Sequence, residues 1–134
     1  MAEGYMRACF NALGREMDVL SAGTAAFPGL CPSREAVLAM KEINVDVSGH
    51  KSSLLDKGLV KWADIILVME PHHRSAVISL YPKADTKVFL FRKFQENAES
   101  NGVPDPIGRG IDFYRDILEI IKESTEGFIK WLRT

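Results

Sequence analysis

Cysteine is scarce in this chain, with two among 134 residues, at positions 9 and 31. Two cysteines are too few for a disulfide scaffold, and this usage is typical of a reducing cytosol, so we expect a cytoplasmic protein. No apolar run approaches the roughly 20 residues of a membrane-spanning helix, so no membrane span is expected. The first residues carry Glu3, Arg7 and Arg15 in a helical pattern, which is not the pattern of a signal peptide.

An excess of charge of one sign is also absent, because 17 basic residues stand against 18 acidic ones and the signs are interspersed. This balance gives no electrostatic reason to expect binding to nucleic acid or to a membrane surface. No repeat, low-complexity stretch or linker divides the sequence. With 46% hydrophobic residues the chain can form one domain with its own core, which we predict to span residues 1–134.

The spacing of apolar residues predicts helices that alternate with short strands. Helices are predicted at residues 2–16 with Gly14 near the end, at 33–40 behind an N-capping Ser33, at 54–62, at 71–81, and from an N-capping Asp112 onward. Strands are predicted at Val19–Ala22, Ile65–Met69 and Lys87–Phe91. The run at 65–69 is continuously apolar, which predicts a parallel strand buried on both faces. This alternation predicts an α/β fold with a mostly parallel sheet.

One stretch, from Cys9 to Arg15, has the Cys-x5-Arg spacing of a phosphate-binding loop. Such a loop needs a strand before it and small residues within it, whereas the residues here are bulky and helical in pattern. We therefore predict that Cys9 is a buried helical residue, and that Cys31 is an idle loop thiol. His72 and His73 are adjacent and do not share a helix face, so no metal site is expected. The charges at 83–93 are predicted to form a solvated edge.

Five separated segments carry a resemblance to a known family. They are Met1-Ala2-Glu3, Ser21-Ala22-Gly23-Thr24, Val47-Ser48-Gly49-His50-Lys51-Ser52, Ala63–Glu70 and Asp105-Pro106. In these segments, in their order and in their spacing, the chain resembles the low-molecular-weight protein tyrosine phosphatases, a hydrolase family with arsenate reductase and protein-arginine phosphatase branches. The resemblance covers almost the whole sequence.

In that family a Met-Ala-Glu run directly follows a phosphate loop of the form Cys-x5-Arg-Ser-Pro. The resemblance therefore implies that the sequence is truncated before Met1, without the family's first strand and its loop. The implied fold is a doubly wound, mostly parallel sheet that lacks its central strand, so that Val19–Ala22 and Ile65–Met69 do not pair with each other. Because buried backbone groups need partners, such a chain closes the space, borrows a strand in a strand-swapped dimer, or is less stable.

The resemblance also implies a chemistry that uses no metal and no cofactor. In the family a cysteine thiolate attacks phosphorus, an arginine holds the phosphate oxygens, and an aspartic acid protonates the leaving group. Asp105 is implied as that general acid, and Ser21 and His50 as residues that support the loop. From the residues alone, Asp105 also fits an ordinary turn, and the other two also fit structural roles.

The implied partners are phosphorylated protein side chains or small phosphoesters. Ile107 stands where the family often has an aromatic residue, which weakens the expectation of a phosphotyrosine preference and allows a smaller or non-aromatic phosphorylated group. Phosphotyrosine, phosphoarginine and arsenate all stay open as substrates. Three hypotheses follow for the protein. It is a phosphatase whose gene product starts upstream of Met1, a loop-less pseudophosphatase that acts as a binding module, or an unrelated α/β module. Under the first two, residues 1–134 are expected to be inactive as they stand.

Overall fold

The structure, a computed structural model, describes all 134 residues as α-helices and 3₁₀-helices packed around a short parallel sheet. The elements in chain order are α1 (Ala2–Ala12), α2 (Arg34–Lys41), α3 (Lys57–Trp62), β1 (Ile66–Val68), α4 (Pro71–Leu80), a first 3₁₀-helix (Pro82–Thr86), β2 (Val88–Leu90), a second 3₁₀-helix (Phe91–Phe94) and α5 (Ile111–Leu132). The two strands are parallel, with Ile66 opposite Val88, and α4 forms the crossover between them. The α/β prediction is confirmed, although the sheet has two strands.

Two of the five helices, α2 and α4, begin and end within one residue of the prediction, and α1 begins where predicted. The Ser33 hydroxyl accepts a hydrogen bond from the N–H of Ala36 at 3.2 Å, which caps α2 as predicted. Pro71 occupies the first turn of α4, where its missing N–H costs nothing. The α1 helix ends at Ala12, and Gly14 follows with a φ of +67°, a left-handed conformation that glycine adopts at little cost.

Two predicted helix starts are wrong. The N-cap of α5 is Gly110, and Asp112 lies in the first turn, where its carboxylate pairs with Arg115 at 2.8 Å. The α3 helix begins at Lys57 behind an N-capping Asp56, because Leu54 is already held in a bridge to another part of the chain. At α5 the side chain with capping chemistry, Asp112, lies two residues after the N-cap, whereas at α3 the Asp56 carboxylate itself accepts a hydrogen bond from the N–H of Leu59 at 2.8 Å.

The strand predicted at Val19–Ala22 does not form. The segment has no regular secondary structure and joins no sheet, and the nearest strand-like contact is an isolated parallel bridge between Gly23 and Leu54. The N–H of Ser21 donates to the carboxylate of Glu3 at 2.7 Å, so a side chain takes the place of a neighbouring strand. No backbone hydrogen bond joins this segment to β1, in agreement with the prediction that the two do not pair.

The prediction that Ile65–Met69 is buried on both faces is also wrong. Within this run Val68 is buried, whereas Ile65 and Leu67 are half-buried. The cause is a groove of about 620 Å³ along the side of β1 that faces away from β2. Water therefore reaches one edge of a strand whose composition is that of a strand enclosed in a sheet.

The densest packing lies around α5. Phe10, Phe91 and Phe128 are almost fully buried in one cluster, and the rings of Phe94 and Phe128 meet edge to face at 5.3 Å. Gly127 allows this packing, because a Cβ there would lie 1.9 Å from the carbonyl oxygen of Phe94. No helix in the structure combines the length and the apolar character required to cross a membrane.

Candidate active site

The carboxylate of Glu3, in the first turn of α1, joins two of the predicted site residues. Its Oε1 accepts hydrogen bonds from the N–H of Ser21 at 2.7 Å and from the Ser21 hydroxyl at 3.0 Å. Its Oε2 lies 3.5 Å from Nδ1 of His50 and 3.3 Å from the guanidinium of Arg7. The structure thus brings Ser21 and His50 together through a residue that the sequence interpretation had assigned no chemical role.

Local structure places each member of this cluster. Glu3 and Arg7 are four residues apart on α1 and face the same side, and the Arg7 guanidinium also donates to the carbonyl of Val19. His50 follows a turn in which the N–H of Ser48 donates to the Asp46 carboxylate at 2.9 Å. The Ser48 hydroxyl and N–H hold the pKa of Asp46 below its ordinary value. A carboxylate in the first turn of a helix was the available signal for Glu3.

Asp105 lies on an exposed loop that is anchored beyond the carboxyl end of β1. The N–H of Val103 donates to the carbonyl of Met69 at 2.8 Å, and the Asp105 carboxylate accepts from the N–H of Ile107 at 3.0 Å. The loop is therefore a turn closed by its own aspartate, attached to the sheet two residues earlier. No hydrogen bond or ion pair joins Asp105 to Glu3, Ser21 or His50.

Arg92 fixes the chain just before this loop. Its guanidinium is 7% exposed and donates to the carbonyl of Gly102 at 2.7 Å, to the Ser100 hydroxyl at 2.9 Å and to Gln95 at 2.8 Å. The prediction of a solvated edge at 83–93 is therefore wrong at this position. A buried arginine satisfied by loop acceptors has no signature in the charge pattern, so the sequence interpretation missed it.

His73 stands between the sheet and the Asp105 loop. Its Nδ1 accepts a hydrogen bond from the N–H of Glu70 at 3.1 Å, which requires a neutral ring nitrogen. Burial, and after it the neighbouring charge of His72, lowers the pKa of His73, while the charges of Glu70 and Asp105 oppose this shift. His73 is therefore held in its neutral form beside the carboxyl end of β1. No three His, Cys, Asp or Glu side chains converge to hold a metal ion.

The two cysteines lie apart from these groups. Cys9 is inside α1, as predicted, but it is half-buried against the core and not fully buried. Burial and then the neighbouring Cys9 raise the pKa of Tyr5 to about 12. Cys31 is exposed, and its Sγ accepts a hydrogen bond from Nζ of Lys51 at 3.0 Å. Neither cysteine begins a loop of the form Cys-x5-Arg-Ser-Pro, and no such loop occurs in residues 1–134.

The candidate site is the end of the molecule where β1 finishes and α1 begins. The groove along β1 is lined there by Ala2, Glu3, Ser21, Met69 and His73. In parallel α/β sheets, ligands bind outside the carboxyl ends of the strands, and a helix N-terminus at such a place favours anions. The arrangement suits a phosphate group, with Glu3 engaged by its own partners and Asp105 on the adjoining loop.

Comparisons with known proteins agree with this geometry. The family model described as low molecular weight phosphotyrosine protein phosphatase matches residues 1–134. The protein-arginine-phosphatase of Bacillus subtilis is 29% identical over 133 residues, covering 99% of this chain and 87% of its own. The arsenate reductase of Staphylococcus xylosus is 30% identical over 128 residues, which cover 96% of this chain and 84% of its own.

Solved structures of low-molecular-weight phosphatases also resemble this chain. The low molecular weight protein tyrosine phosphatase from T. tengcongensis superposes with a TM-score of 0.88 at 32% identity, covering 96% of this chain and 87% of that one. A YwlE mutant from Bacillus subtilis gives a TM-score of 0.89 at 28% identity, with 99% and 88% covered. The family match covers residues 1–134 and does not support the predicted truncation. The chain belongs to the low-molecular-weight phosphotyrosine protein phosphatase family.

Proposed function

We propose that this fold serves the hydrolysis of phosphorylated protein side chains, with Asp105 as the general acid and with Ser21 and His50 as supports of a phosphate-binding loop. The observation that carries the proposal is the cluster at the start of α1, where Glu3 joins Ser21 and His50. Two residues implied by the family resemblance thereby meet at one helix N-terminus, where phosphate is favoured.

In a chain that carries the loop, the chemistry has two steps. A cysteine thiolate attacks phosphorus, the bond from phosphorus to the leaving oxygen or nitrogen breaks, and the Asp105 carboxyl donates a proton to that atom. Water then attacks the phosphocysteine, the phosphorus–sulfur bond breaks, and the Asp105 carboxylate accepts the proton from water. The exposed loop turn leaves this carboxylate accessible at the edge of the site.

We further propose that residues 1–134 by themselves do not turn over a phosphate ester. Cys9 is half-buried within α1, and the sequence has no Cys-x5-Arg-Ser-Pro loop to supply an attacking thiolate and an arginine. The second candidate function is that of a loop-less pseudophosphatase that acts as a binding module. A cytoplasmic location and strand exchange between two copies stay predictions.

The substrate proposed is a phosphorylated side chain that need not be aromatic. Ile107 is 71% exposed two residues after Asp105, and its aliphatic side chain offers no ring for stacking against phosphotyrosine. Phosphoarginine therefore belongs among the substrates to be compared, as the printed name of the Bacillus subtilis relative suggests for that protein.

The test is to restore the loop. A hydrophobic strand followed by Cys-x5-Arg-Ser-Pro is placed before Met1, and turnover of phosphotyrosine and phosphoarginine peptides is measured. Turnover is expected to appear, and Asp105→Asn is expected to lower it by about 10²–10⁴-fold, the usual contribution of a positioned general acid. Asp112→Asn, which changes another exposed aspartate on α5, serves as the matched control and is expected to leave the rate unchanged.

Two outcomes would contradict parts of the proposal. If turnover returns and Asp105→Asn leaves it unchanged with a poor leaving group, then another residue is the acid. If the restored protein folds and binds phosphate without turnover, the binding-module function is correct instead.

A further inference from the structure

Arg92 is a buried charge without a counter-ion. It lies in the 3₁₀-helix that follows β2, and only 7% of it is exposed. None of the ion pairs in the structure includes it. Burying a charged group is costly unless hydrogen bonds replace those that it made to water. The hydrogen bonds of this guanidinium must therefore compensate for the water that it has lost.

These hydrogen bonds all go to the segment that leads to Asp105. Nη1 of Arg92 donates to the carbonyl of Gly102 at 2.7 Å and to the Ser100 hydroxyl at 2.9 Å. Its Nε donates to the side chain of Gln95 at 2.8 Å. The Ser100 hydroxyl in turn donates to the carbonyl of Gly102 at 3.2 Å. One side chain thus holds this segment at its start and at its end.

Both ends of the segment are also tied to the rest of the fold. The N–H of Val103 donates to the carbonyl of Met69 at 2.8 Å, just beyond the end of β1. Val103 is 3% exposed and packs within the apolar core. At the other end, the side-chain amide of Gln95 donates to the Glu123 carboxylate on α5 at 2.8 Å. The segment that the guanidinium holds therefore runs from α5 to the carboxyl end of β1.

Two prolines carry the position of this anchor on to Asp105. Only Pro104 lies between Val103 and Asp105, and Pro106 follows. A proline ring fixes its own φ and restricts the residue before it to extended backbone. Val103 and Asp105 both precede a proline, so few backbone torsions between them are free to change. A displacement of the chain at Gly102 therefore moves the Asp105 carboxylate with it.

We propose that Arg92 is a positioning residue, which places the Asp105 carboxylate at the carboxyl end of β1 by holding the chain at Gly102. The catalytic consequence rests on the proposed function of Asp105 as the general acid, whereas the hold on the loop does not. Lysine cannot take the place of Arg92, because a single ammonium lacks the planar fork of donors that reaches several acceptors at once.

The first test is hydrogen exchange in the 134-residue chain, followed by NMR at the amide of Val103. Arg92→Lys keeps the charge and loses most of the donors, and it is expected to speed this exchange at least about tenfold. Ser100→Ala removes one acceptor and keeps the charge, and about threefold is expected. Amides inside α2, such as that of Met40, are expected to exchange as in the wild type. The matched control, Arg133→Lys, changes an exposed arginine at the end of α5 and is expected to leave the exchange at Val103 unchanged.

A second test reads the position of the Asp105 carboxylate itself. Burial, and after it the charge of His72, lowers the pKa of His73. The charges of Glu70 and Asp105 oppose this shift. Asp105→Asn is therefore expected to lower the pKa of His73 in an NMR titration of the 134-residue chain. In the Arg92→Lys background this decrease is expected to shrink to about half or less, because a displaced carboxylate interacts more weakly across water.

The catalytic consequence is measured in the protein with the restored phosphate loop. Arg92→Lys is expected to lower kcat/KM for phenyl phosphate at least about tenfold, because a misplaced acid loses much of its contribution. With p-nitrophenyl phosphate the change is expected to stay below about threefold, since this leaving group needs little help from a proton. Added to Asp105→Asn, Arg92→Lys is expected to cause no further loss with phenyl phosphate.

Three results in the 134-residue chain would overturn the proposal. Unchanged exchange at Val103 in Arg92→Lys would show that other contacts hold the loop. Equal acceleration at Val103 and at Met40 would show that Arg92 supports only the fold as a whole. An undiminished effect of Asp105→Asn on the pKa of His73 in the Arg92→Lys background would show that the carboxylate keeps its place without Arg92.

The restored protein separates this proposal from the proposed function. If Asp105→Asn lowers kcat/KM for phenyl phosphate and Arg92→Lys does not, then Arg92 does not position the acid. If Asp105→Asn itself leaves kcat/KM unchanged, then the proposed general acid is wrong. In that case the exchange and titration measurements still decide whether Arg92 holds the loop.

Discussion

The two sides of the sheet differ in how completely they are packed. On the packed side, where α5 meets α2, Tyr114 and Leu118 are almost fully buried, and the hydroxyls of Ser33 and Tyr114 are joined by a hydrogen bond of 2.9 Å. On the open side, residues 17–24 and β1 face each other across a groove without a backbone hydrogen bond between them. The candidate site groups lie on and around the open side. The packed side is therefore expected to supply most of the stability, whereas the candidate site lies on the less densely packed side, as is common where a site needs access.

The sharpest test of this difference replaces one large apolar residue on each side. Leu118→Ala removes a buried side chain from the packed side and is expected to lower the free energy of unfolding by about 2–5 kcal/mol. Leu20→Ala, on the open side, is expected to change it by less than about 0.5 kcal/mol, because an exposed side chain loses little contact. Urea unfolding of both variants measures this. A comparable loss in the two would show that the groove is closed in solution.

A smaller effect is expected from removing one hydroxyl on each side. Ser33→Ala takes away the cap of α2 and the bond to Tyr114, and is expected to cost about 1–2 kcal/mol. Ser21→Ala is expected to cost less than about 0.5 kcal/mol, because its site is exposed and its N–H still donates to Glu3. Thermal unfolding of the two variants measures which of them is less stable. A larger loss of stability in Ser21→Ala than in Ser33→Ala would contradict this expectation.

The smallest expected effect is the pH dependence contributed by His73. Its folded-state pKa is lowered from 6.5, first by burial, so the folded state binds fewer protons than the unfolded state and stability falls as pH drops below about 6.5. Protonation also removes the acceptor for the Glu70 N–H. His73→Asn keeps a hydrogen-bond acceptor that does not titrate. The stability of this variant is therefore expected to fall less steeply than that of the wild type between pH 7 and pH 5.

The matched control for this measurement is His72→Asn, which changes the exposed neighbouring residue. For this control, the free energy of unfolding, measured with urea at each pH, is expected to depend on pH almost as steeply as in the wild type. The α-amino group of Met1, whose pKa burial also lowers from 8.0, adds its own dependence at higher pH in all three proteins. If the stability of His73→Asn depended on pH as steeply as that of the wild type, the pH dependence could not be attributed to His73.

The local elements of the fold could be predicted well from the sequence. Helical spacing and the capping Ser33 located α2, and Pro71 located the start of α4, because these signals are local to a few residues. The prediction that Ile65–Met69 is a strand was right in type, although the strand is shorter. The prediction that this strand is buried on both faces was wrong, because burial depends on which elements lie beside the strand, and the local sequence pattern does not contain that information.

The candidate site was predictable only in part. Ser21 and His50 were named from a family resemblance, but Glu3, which joins them, is recognised only when α1 is placed against residues 17–24. Arg92 was assigned to a solvated edge because a charged residue in a charged stretch is normally exposed. Contacts between residues far apart in sequence decided both cases. The role of Asp105 stays a prediction.

The central proposal is that the open side holds residues of a phosphatase site, and that residues 1–134 by themselves do not turn over a phosphate ester. The most direct measurement is the rate at which the purified 134-residue chain hydrolyses an aryl phosphate and a phosphoarginine peptide, compared with its Cys9→Ser variant. We predict that both proteins stay at the background rate, because Cys9 lies in the middle of α1. Turnover that survives purification and disappears in Cys9→Ser, with unchanged thermal unfolding, would contradict the claim and make Cys9 the nucleophile.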